Sequence, residues 1–136
     1  MPLTLQDANR VAATAIAHAE SLGILICVSV VDAGGRLISF QRMDGAIWAA
    51  VYGSQGKAAA SAAFARPSGD LTERADHPTF RGIAAADGGR LIYGQGAVPI
   101  MRGGQVIGAC GVGGGTGQED EDCARAGATS VQSDTP

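Results

Sequence analysis

The chain has 136 residues, an apolar share of 46%, a formal net charge of −3 and a pI near 5.2, which suits one domain around one continuous core. Lys57 is the only lysine and no Arg/Lys cluster marks a face, so the basic stripe that nucleic-acid binding requires is missing. No apolar run approaches the roughly 20 residues that cross a bilayer, and the start MPLTLQDANR has no basic segment followed by an apolar one, so a cytoplasmic protein with no membrane partner is expected.

Thr4, with Asp7 three residues on, reads as a helix start: the hydroxyl caps and the acid returns the bond or faces the positive helix end. Ala8, Val11, Ala12, Ala15, Ile16, Ala19 and Leu22 then recur at helical spacing, and Gly23 supplies the left-handed stop. Ile24–Asp32 and Arg36–Met43 flank Ala33-Gly34-Gly35, which predicts a β-hairpin. Residues 46–64 read as a second helix, with Gly53 and Gly56 costing about 1 kcal/mol each relative to alanine while permitting another backbone or a ligand to approach. Residues 70–90 are broken by Pro78, Gly82 and Gly88-Gly89 and predict short helical turns and loop.

Arg90–Gly96 and Ala97–Met101 read as strand, turn and strand, and Arg102-Gly103-Gly104-Gln105 as a second hairpin turn. Val106–Val112 continues the sheet, Gly113–Gly117 forms a turn, and Gln118–Ala126 is the last helix. The predicted fold is α+β, with about five antiparallel strands flanked by helices, in a single domain over 1–128 followed by a flexible tail at 129–136. Aromatic residues make up only 4%. A core of alanine and valine buries little area per residue, which favours a homo-oligomer.

Cys27, Cys110 and Cys123 are odd in number and lack the C-x-x-C pairing of a metal site, so they read as buried small hydrophobes. The Gly113-Gly114-Gly115 run joins a strand to a helix, where backbone amides can border a carboxylate or simply make the turn. The acids Glu119 to Asp122 that follow would cap the helix and repel a phosphate. Arg42 can pair with an acid or hold a ligand carboxylate in its fork, and Asp44 is a cap or turn residue. Trp48 and Tyr52, four apart, share a helix face. Lys57 either points to solvent, binds an anion or acts as a base, with Asp122 as a second proton carrier. His18 and His77 are ordinary surface histidines or axial haem ligands. With no C-x-x-C-H present, any haem would be held non-covalently.

Several of these pieces, in order, resemble the GlcG/HbpS family, which includes the C-terminal domain of PduO proteins. They are Val30-Val31-Asp32-Ala33-Gly34-Gly35, Arg42-Met43-Asp44-Gly45-Ala46, Lys57-Ala58, Pro99-Ile100 before a Gly-Gly turn, and Val106 through Gly114. The resemblance implies a profilin-like fold, assembly into dimers or larger oligomers, and non-covalent binding of haem or a related tetrapyrrole at an oligomer interface. It equally admits a cofactor-free lyase or isomerase acting on a small carboxylated, aromatic substrate. In that case Arg42 would hold the carboxylate, Trp48 and Tyr52 would wall the ring, and Lys57 or Asp122 would move protons. Where the family carries GGG-[LV]-P and G-V-S-G, this chain has Gly94-Gln95-Gly96-Ala97-Val98-Pro99 and Gly111-Val112-Gly113-Gly114, so Gln95 and Gly113 reshape the edge of the implied pocket. A structural accessory protein without a ligand is the third reading.

Overall fold

The computed structural model describes residues 2–132. Helix α1 spans Leu5–Leu22 and opens with the expected capping box. Thr4 Oγ1 accepts from the Asp7 amide at 3.0 Å, and Asp7 Oδ2 accepts from the Thr4 amide at 3.3 Å. Gly23, at φ +72°, ends the helix as a left-handed residue. Strands β1 (Cys27–Asp32) and β2 (Leu37–Arg42) follow, then α2 (Ala49–Phe64), a 3-10 turn at Ser68–Arg74, α3 (Pro78–Ala86), β3 (Ala97–Arg102), β4 (Gln105–Gly113) and α4 (Gly117–Thr129).

The sheet order is β2-β1-β4-β3 with every pair antiparallel. Two hairpins therefore lie side by side, joined through β1 and β4. The second turns on Gly103 and Gly104, both at positive φ, as a two-residue corner matched to strand twist requires. In the first, Asp32 Oδ1 accepts from the amides of Gly34 and Arg36 at 2.9 Å each, so the side chain holds the corner.

The sheet has four strands, not five. Arg90–Gly96 is not a strand: the Ile92 amide donates to the Gly56 carbonyl of α2 at 3.1 Å, and Leu91 packs with Ala59, Ala60 and Leu71. The segment spends its apolar side chains on covering a helix, and Gly88, Gly89 and Gly96, all at positive φ, prevent a continuous ladder. Gly56 is what admits it, since a Cβ there would lie 2.5 Å from the Ile92 side chain and 2.7 Å from the Arg90 carbonyl.

Alternation along the central strands divides the core. Val28, Val30, Cys110 and Val112 pack against α1 and α4, with Val11, Ala15, Cys123 and Ala124. Ser29, Val31, Ala109, Gly111 and Gly113 meet α2 on the other face, where Ser29 Oγ and Ser54 Oγ share a buried hydrogen bond of 2.8 Å. Helix α2 is thus covered by the sheet on one side and by residues 65–96 over its C-terminal half on the other, which explains its apolar, weakly amphipathic sequence. It begins at Ala49, not at 46, and its N-cap position is Trp48, with no side-chain cap. Helix α4 runs past Ala126 because Gly127 is a packing residue, not a stop: a Cβ would come within 2.6 Å of the Val11 carbonyl of α1. Val131 also packs into the core, and Arg102 Nη2 donates to its carbonyl at 3.0 Å. Residues 133–136 of the expected tail lie outside the described residues. Among the described residues no helix is long and apolar enough to cross a membrane.

Candidate functional site

Lys57 lies inside the protein, not at its surface. Its Nζ meets Asp120 Oδ2 at 3.2 Å and donates to the Gln95 carbonyl at 3.3 Å, with the two side chains only 11% and 5% exposed. Asp120 Oδ1 accepts from the Gly115 amide at 2.8 Å. Burial pushes the Asp120 carboxyl above the ordinary range, against the pull of the Lys57 ammonium and the Gly115 amide. Gly96 makes room for this pair, since a Cβ there would collide with Lys57 Nζ. The acid opposite Lys57 is therefore Asp120. Asp122, two residues further along α4, is exposed and accepts from Gln118 Nε2 at 2.9 Å.

The sequence-predicted site divides into separate groups. Gln95 and Gly115 gather with Lys57 and Asp120. The Gln95 amide donates to Gln118 Oε1 at 3.2 Å, and its side chain lies over Gly69 and Gly117. Gly113 lies under Ala50, and Gly114, at φ +120°, lies against the Leu25 carbonyl. The Gly115 amide is already held by Asp120. The triglycine run accordingly serves close packing and one internal bond. Arg42 stands on the edge strand β2, opposite Cys27, which in turn faces Gly113 of β4. Lys57 reaches beyond β4 to Gly96, at the other side of the sheet. Asp44 is exposed beside Gly45, and Trp48 and Tyr52 are 70% and 67% exposed with their rings edge to face at 6.2 Å.

The two histidines differ in their surroundings. His77 is the N-cap of α3: its Nδ1 accepts from the Thr79 amide at 3.2 Å, and its ring meets the edge of Phe80 at 6.3 Å. That imidazole has a structural task. The His18 imidazole enters none of the hydrogen bonds among the described residues, and it opens into a shallow groove of about 430 Å³ between α1 and α4. Ala126 and Thr129 line the groove, with Arg125 and Asp122 at its side. Arg125 Nη2 is tied to Glu121 Oε2 at 3.3 Å. No periodicity rule pairs His18 with Arg125, because the groove exists only where two helices cross.

All three cysteines are buried and free. Burial drives the Cys110 thiol far above its ordinary value, while burial and the nearby carboxylates of Asp120, Asp122 and Glu119 push Cys123 up to about 11. Neither supplies a thiolate at neutral pH.

The family described as haem degrading protein HbpS-like matches residues 3–129. Protein GlcG of Escherichia coli is 32% identical over 110 residues, which are 81% of this chain and 80% of GlcG. The crystal structure of a Streptomyces reticuli HbpS double mutant is 29% identical with a TM-score of 0.84, covering 96% of this chain and 88% of that one. The PduOC:heme complex superposes with a TM-score of 0.85 over 96% of both chains at 24% identity, a likeness of fold.

Proposed function

The chain belongs to the HbpS-like family, and from that premise we propose that it binds haem or a related tetrapyrrole non-covalently in the α1–α4 groove, where His18 would hold the iron. The observation that carries this reading is the His18 imidazole itself: half-buried, without a hydrogen-bond partner among the described residues, and facing a groove of about 430 Å³. Haem would supply an iron that a neutral imidazole nitrogen can ligate. Ala126 and Thr129 offer an apolar wall, and the Arg125 fork suits a propionate carboxylate. The groove is open on its outer side, so a second copy of the chain would close it, consistent with an oligomer. His77, already engaged as a helix cap, is the poorer ligand.

Titration of the purified protein with hemin is expected to give a saturable Soret shift. His18→Ala should weaken binding at least about tenfold, and His77→Ala should leave it unchanged. A saturable shift indifferent to His18→Ala, or none in the wild type, would overturn the reading. The alternative of a cofactor-free lyase or isomerase draws on the Lys57–Asp120 couple. It has less support, because the two groups are engaged with each other and with Gln95 and Gly115.

A further inference from the structure

A second cleft lies where the β1–β2 turn meets the C-terminal half of α2 and the segment after α3. Its volume is about 310 Å³, at the small end of the range for ligand pockets. The floor is made of methyl and methylene groups from Ala59, Ala62 and Leu91, with Ile83 at the rim. Two guanidinium groups, Arg36 and Arg90, stand beside it.

Arg90 is pinned in place. Its Nε donates to Asp87 Oδ2 at 2.9 Å, Nη2 to Asp87 Oδ1 at 3.4 Å, and Nη1 to the Gly35 carbonyl at 2.7 Å. Gly35, at φ +78°, brings the hairpin corner against it, where even a Cβ would sit 3.4 Å from Nη2. Of the five donors on this fork two remain free. Arg36 bonds only the Gly34 carbonyl, at 2.9 Å, and keeps the rest. The Asp87 carboxylate lines the cleft, held below its ordinary range first by the hydrogen bond from Arg90 and further by the charges of Arg90 and Arg36. Asp87 is committed to Arg90 and Asp32 to the backbone amides of Gly34 and Arg36, which leaves the Arg36 guanidinium without an ion-pair partner among the described residues.

We propose that this cleft binds a short aliphatic monocarboxylate, its carboxylate on Arg36 and the free edge of Arg90 and its chain on the Ala59–Ala62–Leu91 floor. The ligand class follows from the lining. One guanidinium without an ion-pair partner takes a single carboxylate, and a floor of small aliphatic groups with no aromatic ring favours a flexible chain. Arg36 is the ligand-contacting group, and Arg90 positions the corner as well as donating. The site is independent of the α1–α4 groove and does not rest on haem.

The test is a two-dimensional amide NMR titration of the full chain with hexanoate, acetate and hexanamide. Hexanoate is expected to shift the amides of Gly35, Ala62 and Leu91 saturably. Acetate, lacking the chain, and hexanamide, lacking the charge, should each bind about tenfold more weakly or worse. Arg36→Gln, at an exposed position, should lose about tenfold in hexanoate affinity, and Ile83→Trp, also exposed, should block the cleft with the fold intact. His18→Ala should change nothing here. Absence of saturable shifts with hexanoate, equal binding of hexanamide, or unaltered affinity in Arg36→Gln and Ile83→Trp would overturn the proposal.

Discussion

Lys57→Met is expected to destabilise the protein by about 3–5 kcal/mol at neutral pH, as removal of one partner from a buried ion pair does. The reason is the group left behind. Asp120 is buried, and without the ammonium at 3.2 Å its charge keeps only the Gly115 amide. A methionine fills the space of the lysine stem but offers no donor. The double variant Lys57→Met/Asp120→Leu should recover most of the loss, because replacing both charges with packed apolar groups is near neutral or stabilising. Urea denaturation of wild type and both variants decides the matter, and a single variant as stable as wild type would show that the pair is open to water.

The pH dependence of the single variant has a definite sign. Burial already raises Asp120 above its ordinary 3.8 in the wild type, and loss of Lys57 raises it further. A carboxyl with a raised folded-state pKa is bound to its proton more tightly in the folded protein, so stability falls as pH rises from the unfolded value through the folded one. The penalty of Lys57→Met should therefore shrink as pH is lowered through that window. Its persistence unchanged down to the unfolded carboxylate range would point away from Asp120.

Gly111→Ala is the second large effect, about 3 kcal/mol of destabilisation, at the upper end of what one overpacked methyl costs. Gly111 lies in β4 beneath α2, and the added Cβ would run into the Ser54 carbonyl while lying 2.7 Å from the Ala58 amide and 2.8 Å from its Cβ. Two of these obstacles are backbone, so no rotamer change relieves them. Truncating the third, in Gly111→Ala/Ala58→Gly, should give no rescue and adds about 1 kcal/mol for a glycine within a helix. Urea midpoints for the single and double variants are the measurement. A tolerated Gly111→Ala would mean that α2 can lift from the sheet, against the close contact made by Ala50, Ser54 and Ala58 along Gly113, Gly111 and Ala109.

Part of the candidate site was readable from spacing and part was not. Asp120 shares its helix face with Cys123, Ala124 and Gly127, all buried, and that three- and four-residue pattern marks Asp120 as the inward acid of the Glu119–Asp122 run. Asp122, two residues further on, falls on the exposed side of the same helix. The separation of Arg42 from Lys57 has no such local trace. It follows from the order in which strands pair, which puts Arg42 on the outer edge of β2 and Lys57 toward β3.

What the chain settled alone is what operates within about one turn or one hairpin. The Thr4–Asp7 box, the Gly23 stop, the two hairpin corners with Gly35, Gly103 and Gly104 at positive φ and the apolar stripe of α1 are decided by neighbours three or four residues away. The resemblance to the HbpS-like family was legible for the same reason, being carried by these corners and their order. Only the tertiary structure decided the rest: that Arg90–Gly96 lies over α2, that Lys57 finds Asp120 across 63 residues, and that Gly35 meets Arg90 across 55. Such contacts form where packed elements converge, and no local periodicity encodes which surfaces meet.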